Sequence, residues 1–456
     1  MSVALATQSQ NNRTSRVKLP LHAVLVTNFI PPYMKPIYIE LSRRVRKLTI
    51  LVSTPMESNR QWKPDWEGLD VRLQRGISIK RPWRHDVGFS ELWDVHIPWN
   101  TVGELRRQRP DVVITTQFGC RSLLSALYTH FCRKTPLVIL TNMSGHTEKH
   151  WGRHRTYLRK WFAGQAEVVT INGMSGARYL ESLGFPRENI HYFPYAALPE
   201  LTDSAPKTRD VEVAHRLISV GQLSQRKGIV PFLQALGRWA ARHPEKKIEY
   251  ALAGLGPELS CLQQLARELS ENVHVEFLGE RTYQELAQDF AASGIMAFPT
   301  LADEWGLVVN EAMSAGLPVL GSQYSQAVSD LCVEGQTGWI FRPDSVDETE
   351  QAIERAFSTS VEQLNTMRHA AQQRVNHLTP AFAADCLLDA IRLAYRRKVG
   401  DATYSDLPEM VDLWRTDVTA HAAELARRNA SHLPDEMEEK SRDDDATCLL
   451  AMGTER

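Results

Sequence analysis

The sequence has no long apolar run, no excess of charge of one sign and no closely paired cysteines. No stretch of about 18 apolar residues occurs, so we expect no membrane-spanning helix. Lys and Arg number 53 against 54 Asp and Glu, for a formal net charge of -1, and this balance argues against a nucleic-acid partner. The six cysteines contain no C-x-x-C pair, which excludes the usual zinc and disulfide frameworks and indicates mostly buried thiols in a reducing compartment.

The length and composition are those of a globular protein with more than one domain. A chain of 456 residues with 43% hydrophobic and 23% charged residues is long enough for two or three domains. Residues 1–18 are polar and lack the apolar core of a signal peptide. We therefore predict a flexible leader at residues 1–20 and a cytoplasmic location, either free or at the inner face of a membrane.

Short apolar runs alternate with helical patterns in two blocks. The first block predicts strands near residues 22–27, 48–53, 112–116, 137–140 and 167–171. The second predicts strands near residues 217–220, 248–253, 273–278 and 295–299. Such alternation is typical of βαβ units and a parallel sheet. Residues 54–100, rich in Trp and Arg, show no pattern that predicts a regular element.

These blocks predict an α/β fold of two Rossmann-like, doubly wound domains that face a cleft, where ligands gather at the carboxyl ends of the strands. A polar, Pro-containing linker at residues 199–210 separates domains at 21–200 and 211–380. An amphipathic closing helix follows at 381–398. Residues 399–456 carry runs of charge and are predicted to form a tail, with a helix near 408–429 and a disordered end.

The segment 302–320, ADEWGLVVNEAMSAGLPVL, is the most informative part of the chain. It places Asp303 and Glu304 before Trp305-Gly306, and Glu311 at the start of a helix that ends at a Gly-Leu-Pro stop. A helix N-terminus offers N–H groups to a phosphate, and carboxylates suit sugar hydroxyls. The alternative is an ordinary acidic cluster that the helix dipole favours.

Two further segments suit the same ligand. Residues 218–228, ISVGQLSQRKG, leave a strand, turn at Gly221, and present Arg226 and Lys227 before a helix. That order favours a diphosphate site, although a solvated basic turn would have the same sequence. Residues 252–257, LAGLGP, run from a strand into a glycine turn that contains Gly254.

Together these segments resemble the donor domain of retaining glycosyltransferases of the GT-B fold, family 4. That family has a V-G-R-L…K-G turn, an L-x-G-x-G strand end, a V-x-F-L-G segment (residues 275–279 here) and an E-x7-E signature followed by A-M-x-x-G-x-P-V. The resemblance covers residues 22–395, most strongly 217–342. It implies a nucleotide-sugar donor as substrate and no cofactor. We expect a hexose-type sugar to be moved to a glycan or lipid-linked acceptor, in cell-envelope or exopolysaccharide synthesis.

The resemblance also implies roles for individual residues. Lys227 would neutralise the donor diphosphate, Glu311 would hold the ribose, and Asp303 or Glu304 would grip the transferred sugar. Base recognition would fall to backbone groups near residues 278–280. The expected donor site is formed by Gly221, Gln222, Arg226, Lys227, Gly254, Leu278, Gly279, Trp305, Gly306, Leu307, Val308 and Glu311.

Three positions depart from the family pattern. The signature is D-x7-E, because Asp303 stands eight positions before Glu311. Gln222 occupies the family's arginine position, so the site has one cation fewer unless Arg226 substitutes. The glycine pair expected after the first strand is replaced by residues 31–36, PPYMKP.

Two features leave alternatives open. The catalytic histidine of the family is expected after the strand at 137–140, where Thr141-Asn142 stands. His146 lies a little later, and it is a candidate for this role or a histidine of a surface loop. Residues 149–162 mix basic and aromatic side chains, which suits either an interfacial helix on anionic lipid or a helix that packs its aromatic stripe on the first domain.

No D-x-D motif precedes the sugar site, so we expect no metal ion, and leaving-group stabilisation must come from cations and helix N-termini. Two other functions remain open. Sugar-nucleotide epimerases share two Rossmann-like domains but lack the paired carboxylates of residues 303–311. A degenerate transferase that serves as a glycan-binding or scaffold protein would tolerate the three departures.

Overall fold

The computed structural model describes residues 18–57, 60, 62–132, 134–148, 153–198, 200–201, 206 and 208–400. The predicted leader and the charged tail, including the helix expected near 408–429, lie outside the described residues. The predicted linker at 199–210 is described only in part.

Seven parallel strands form the first sheet, in the order β3-β2-β1-β6-β7-β8-β9. Their bounds are β1 Leu19–Thr27, β2 Val45–Val52, β3 Asp70–Leu73, β6 Val112–Thr116, β7 Leu137–Leu140, β8 Val168–Ile171 and β9 Ile190–Tyr192. Strands β1, β7 and β8 are almost continuously buried, as expected for a parallel sheet covered on both faces by helices.

Helices cover both faces of this sheet, and one apolar cluster lies on each side. The helices of this part are α1 Lys35–Arg44, α2 Thr101–Gln108, α3 Cys120–Phe131, α4 Arg153–Ala163 and α5 Met174–Ser182. Strand β2 begins directly after α1 at Val45, three residues before the predicted position.

The region for which no element was predicted contains strand β3 and, after it, a separate antiparallel hairpin. Its strands are β4 Gly76–Arg84 and β5 Ser90–Pro98, paired from Gly76–Pro98 to Arg84–Ser90. The turn at the tip is closed by a hydrogen bond from the backbone N–H of His85 to the carbonyl oxygen of Phe89, at 3.0 Å. The hairpin pairs with neither large sheet, and its tip reaches the second half of the chain.

Six parallel strands form the second sheet, in the order β12-β11-β10-β13-β14-β15. Their bounds are β10 Leu217–Val220, β11 Ile248–Ala253, β12 Val273–Gly279, β13 Ile295–Phe298, β14 Val319–Ser322 and β15 Gly338–Phe341. The helices of this part are α6 Val211–Ala214, α7 Ile229–Arg242, α8 Leu259–Arg267, α9 Tyr283–Ala291, α10 Leu307–Ser314, α11 Gln326–Leu331, α12 Val346–Ser358 and α13 Val361–Val375.

The last described helix, α14 (Pro380–Val399), returns to the first sheet. Its apolar residues, among them Leu387 and Ile391, belong to the same buried cluster as residues of β1 and α1. A buried ion pair between Arg44 Nε and Asp385 Oδ1, at 2.7 Å, fixes α14 against α1. The predicted closing helix is thus present, and it completes the core of the first sheet.

Each sheet reverses its strand order once, at β1–β6 and at β10–β13. Loops that follow the strands at these points face each other across a cleft, which is where doubly wound folds bind ligands. The predicted fold class, two Rossmann-like doubly wound sheets facing a cleft, is confirmed.

Candidate active site

A cavity of about 1340 Å³ lies between the carboxyl ends of the two sheets. It is lined from the first sheet by residues that follow β1, β6 and β7, and from the second by residues that follow β10, β11 and β13. Twelve of the fifteen candidate residues line this cavity: Gly221, Gln222, Arg226, Lys227, Gly254, Asp303, Glu304, Trp305, Gly306, Leu307, Val308 and Glu311.

Helix α10 points its N-terminus into the cavity. It begins at Leu307, four residues before Glu311, because Gly306 takes a left-handed conformation with φ 97° and serves as N-cap. A Cβ at Gly306 would lie 2.8 Å from the Phe298 ring and from Ser325 Oγ. The first-turn N–H groups of Leu307 and Val308 have no intrahelical acceptor, so this end of the cavity favours an anion.

Glu311 lies one turn further along α10, and it is a buried carboxylate that faces the cavity. Only 6% of the residue is exposed, and no described residue donates a hydrogen bond to its carboxylate. Burial raises its pKa to about 7. A buried carboxylate without donors is energetically unfavourable, and the hydroxyl groups of a ligand would satisfy it.

Asp303 is held by two cations. Its Oδ2 accepts hydrogen bonds from Lys227 Nζ and, at 3.3 Å, from Arg226 Nη1. Burial works to raise the pKa of Asp303, but Lys227 and Arg226 outweigh it and hold the pKa below its usual range. Burial lowers the pKa of Lys227 although Asp303 opposes this effect. Lys227 and Arg226, predicted to bind the diphosphate, and Asp303, predicted to bind the sugar, therefore form one group of interacting charges.

Glu304 differs from its neighbour. Burial raises its pKa to about 7, aided by the charges of Glu148 and Asp303 and opposed by Arg226 and Arg155. Near neutral pH this carboxyl group is therefore only partly ionised, whereas the lowered pKa keeps Asp303 ionised. The carboxyl groups of Asp303 and Glu304 therefore differ in pKa although both line the same cavity.

Two glycine turns form the opposite wall. Gly221 N–H donates to the Ala253 carbonyl at 2.9 Å, and Gly254 N–H to the Gly279 carbonyl at 2.7 Å. A Cβ at Gly254 would lie 2.0 Å from the Gly221 carbonyl oxygen, and the φ of Gly254 is 136°. Only glycine allows these two loops to approach so closely.

Three predicted residues do not line the cavity. Leu278 and Gly279 end β12 behind its wall, and the next residue along, Glu280, is the one that reaches the cavity. His146 has its Nε2 at 2.9 Å from the carbonyl oxygen of Leu301. Its ring stacks on Tyr324 at a centroid distance of 4.1 Å. His146 thus contacts the second domain outside the cavity, which argues against the catalytic role predicted for it.

Asn142 stands where the family resemblance places the histidine. Its Nδ2 donates to Tyr195 Oη at 2.9 Å, and its Oδ1 accepts a hydrogen bond from Gln117 Nε2. Tyr195 also packs edge-on against Tyr33 at 5.5 Å. All four line the cavity. The sequence indicated Asn142 only by its position after β7, and it gave no signal for Tyr195 or Tyr33.

A buried arginine lies on the first-domain side of the cavity and was also missed. Arg121 Nη2 donates to the Thr116 carbonyl at 2.9 Å, and Nη1 donates to Asn28 Oδ1. Burial lowers its pKa to about 10, and Glu57 acts in the opposite direction. No ion pair joins Arg121 to a carboxylate within the described residues, so it contributes positive charge to the first-domain side of the cavity.

Gln326 joins the two halves beside the site. Its Oε1 accepts a hydrogen bond from Gly176 N–H at 2.8 Å, and its Nε2 donates to the carbonyl oxygens of Asn142, at 2.8 Å, and Glu304. Asp330 accepts a hydrogen bond from Met174 N–H at 2.7 Å. Residues of α11 thereby cap the N-terminus of α5 and fix Glu304 relative to the first domain.

Over the described ranges, no group of three or more His, Cys, Asp or Glu side chains is arranged to hold a metal ion. None of the described helices is long and apolar enough to cross a membrane. In the basic and aromatic segment, Phe162 is buried, whereas Tyr157 and Trp161 are exposed. Residues 149–152 of that segment lie outside the described part of the chain.

Part of this chain is similar in sequence to a known protein family. Residues 204–374 match the family model of glycosyl transferases group 1. The D-inositol 3-phosphate glycosyltransferase of Corynebacterium urealyticum is 31% identical over 149 residues, which are 30% of this chain and 35% of that enzyme. The match therefore spans about a third of that relative's length.

A longer match, 25% identical over 358 residues, links the chain to the GDP-mannose-dependent alpha-(1-6)-phosphatidylinositol monomannoside mannosyltransferase of Mycolicibacterium smegmatis. It covers 72% of this chain and 87% of that enzyme.

Solved structures have the same fold at low identity. HepE of Anabaena, solved in complex with UDP, superimposes with a TM-score of 0.62 at 16% identity, over 81% of this chain and 99% of HepE. The lipopolysaccharide outer core galactosyltransferase WaaB gives 0.59 at 14% identity, over 81% and 99%. Residues 204–374 are thus similar to the glycosyl transferases group 1, and the chain has the GT-B fold.

Proposed function

We propose that this chain is a glycosyltransferase that moves a hexose-type sugar from a nucleotide-sugar donor to a glycan or lipid-linked acceptor. The reaction breaks the bond between the anomeric carbon and the diphosphate oxygen, and it forms a bond from that carbon to an acceptor oxygen. The acceptor hydroxyl loses its proton and the nucleoside diphosphate leaves. Cell-envelope or exopolysaccharide synthesis is the setting that we propose.

One observation carries the donor assignment: the unpaired carboxylate of Glu311 lies in the same cavity as the N-terminus of α10 and the Lys227 ammonium group. A nucleoside diphosphate has the complementary parts, because ribose hydroxyls suit Glu311 and the diphosphate suits Lys227 and the N–H groups of α10. Doubly wound folds generally bind nucleotides at the carboxyl ends of their strands, and the proposed sugar-nucleotide site has this position.

The departing diphosphate is stabilised in our proposal by Lys227 and by the N–H groups of Leu307 and Val308, with no metal ion. Donors aimed in advance at the developing charge contribute strongly to catalysis in a site shielded from water. Asp303 or Glu304 binds hydroxyls of the transferred sugar. Retention of the anomeric configuration is part of the proposal through the family resemblance, and we assign no nucleophile.

An apolar wall on the acceptor side supports a lipid-linked acceptor. Ile79 pairs with Val95 and Ile77 with Ile97 across the hairpin. Ile79, Val95 and Ile97 line the cavity, and this aliphatic surface suits an apolar part of the acceptor. The mannosyltransferase of M. smegmatis acts, by its name, on a phosphatidylinositol mannoside, which agrees with this acceptor class.

Contact with the inner face of a membrane is also proposed, because α4 exposes Tyr157 and Trp161 beside basic residues. Sedimentation with anionic vesicles at low salt tests this step separately. Vesicles that carry the protein down would support it, and a protein that stays in the supernatant would overturn it.

Incubation with UDP-, GDP- and ADP-sugars, followed by thermal shift and nucleotide release, tests the donor proposal. One donor should raise the melting temperature and release its nucleotide when an acceptor is present. Lys227→Ala and Glu311→Ala should abolish both signals, whereas Lys247→Ala, an exposed lysine at the opposite end of the sheet, should keep them. A folded protein that responds to no donor would favour a glycan-binding scaffold instead.

A further inference from the structure

The hairpin β4–β5 brings a residue of the first domain to the donor side of the cavity. At its tip Trp83 and Phe89 are buried against Ala302 of the second domain. Trp83 is only 3% exposed, so the tip is anchored. Ala302 directly precedes Asp303, and the hairpin therefore holds the backbone from which the Asp303 side chain projects.

Glu91, beside this anchor, contacts the predicted diphosphate turn. Its Oε1 accepts a hydrogen bond from Ser224 Oγ at 2.7 Å, and its Oε2 accepts one from Arg226 Nε at 2.9 Å. The side chains of Glu91 and Arg226 are 18% and 17% exposed. Both carboxylate oxygens of Glu91 are thus used, and both partners come from residues 224–226.

The ion pair with Glu91 fixes which nitrogen atoms of Arg226 can contact Asp303. With Nε on Glu91, the guanidinium group reaches the carbonyl oxygen of Ala302 at 3.1 Å and Asp303 Oδ2 at 3.3 Å, both through Nη1. Without Glu91, the same group could bind Asp303 through two parallel hydrogen bonds, the geometry that arginine and carboxylate prefer. Asp303 would then turn away from Lys227.

We propose that Glu91 is a positioning residue of the donor site, which acts through Arg226 to hold Asp303 and Lys227 in their working geometry. This inference rests on the proposed function and deepens it, because the donor site then requires a residue of the acceptor-side domain. Arg226 serves in this arrangement as the link between domains, and Lys227, which also donates to Asp303, is the cation that we assign to the diphosphate. The donor site is complete only when the hairpin is docked.

The test compares Glu91→Gln, Arg226→Met and the double variant. Glu91→Gln keeps the size and the Ser224 hydrogen bond but removes the charge. We expect kcat to fall by about 10- to 100-fold, the range that follows a misplaced group of about 1 Å, while the Kd of the nucleoside diphosphate changes by less than about threefold. The double variant should be no slower than Arg226→Met, because residues that act through each other are not additive.

Two further variants serve as controls for the effect of Glu91→Gln. Glu276→Gln removes an ion pair with Arg216 that is largely exposed, and it should leave kcat and Kd unchanged. Glu91→Asp retains the charge and should recover part of the lost kcat, which a merely structural role would not predict. Thermal melting of every variant establishes that it is folded.

The outcomes separate this inference from the proposed function. If the unmodified protein releases nucleotide from no donor, the proposed function fails and this inference fails with it. If the unmodified protein is active and Glu91→Gln is equally active, only the role of Glu91 is overturned. Effects of Glu91→Gln and Arg226→Met that multiply in the double variant would also overturn it.

Discussion

Gln326 and Gly176 are joined by a hydrogen bond of 2.8 Å from the backbone N–H of Gly176 to Oε1 of Gln326, and the two residues belong to different domains. The same amide donates to the carbonyl oxygen of Asn142. Gln326 is 2% exposed, so water cannot readily replace these bonds. Together with the bond from Met174 N–H to Asp330, Gln326 therefore fixes the position of Glu304 relative to the first domain.

We predict that Gln326→Ala lowers the free energy of unfolding by about 2–3 kcal/mol, because it leaves a buried N–H and two carbonyl groups without this partner. Urea denaturation measures the loss. Gln264→Ala removes an exposed bond to Glu268 and should cost less than about 0.5 kcal/mol. Equal effects of the two substitutions would contradict the prediction.

Glu311→Gln should stabilise the protein at pH 8 while it weakens donor binding. The pKa of Glu311, about 7 in the folded protein, lies above that of an unfolded glutamate. The group therefore contributes stability at low pH, and this contribution is lost as the pH rises through 7. Removal of the charge should raise the melting temperature at pH 8 by about 2–4 °C, and by less at pH 5. A lower melting temperature at pH 8 would contradict this account.

Donor affinity should depend on pH through the same group. Ribose hydroxyls bind the ionised carboxylate more strongly, so below pH 7 binding must first displace a proton. The Kd of a nucleotide-sugar, whose diphosphate stays ionised throughout this range, should therefore rise towards about tenfold per unit as the pH falls from 7 to 5.5. Titration calorimetry measures the slope, and Glu311→Gln should flatten it. An equally steep slope in that variant would show that another group causes the pH dependence of Kd.

Lys227→Met should raise the Kd of the nucleoside diphosphate by about 10- to 100-fold, the equivalent of one or two charge-assisted hydrogen bonds. Asp303 would keep Arg226 as its partner, so the fold should survive. Lys247→Met provides the control, as it removes an exposed lysine away from the cavity. Unchanged affinity in Lys227→Met would exclude Lys227 from the diphosphate site.

Gly254→Ala should abolish donor binding, because its Cβ would meet the Gly221 carbonyl oxygen at 2.0 Å and the two loops would have to separate. Gly103→Ala, within a helix and with no atom within 4 Å of the added Cβ, should raise stability by about 0.5–1 kcal/mol. Thermal shift with and without donor measures both. Retained donor binding in Gly254→Ala would show that the loops are not part of the site.

The sequence indicated which residues of the second domain line the cavity, because these signals are local. The turn after β10 and the start of α10 each lie within about ten residues, and their glycines, cations and carboxylates are neighbours along the chain. Helix α10 began earlier than predicted, since the sequence does not reveal that Gly306 adopts a left-handed conformation. Its φ of 97° starts the helix at Leu307.

The acceptor side could not be predicted in the same way. Hairpin β4–β5 has few buried residues, and Trp83 is covered by Ala302 from more than 200 positions later in the chain. The alternation of Ile77, Ile79 and Trp83 before a turn at Gly88 was a usable signal for a strand, but no local pattern gives the partner of Glu91. The direction of His146, away from the cavity, likewise depends on Leu301 and Tyr324 of the other domain.

Helix α14 gives the chain a particular order of assembly during synthesis. The apolar face of α1, with Ile37 and Leu41, is covered only when Leu387 and Ile391 arrive. About 180 residues separate the first domain from α14, and at a rate of roughly 5–20 residues per second their synthesis takes about 10–40 s. During that time the part of the first domain that packs on α14 lacks this partner, although every strand of the second sheet has been synthesised before α14.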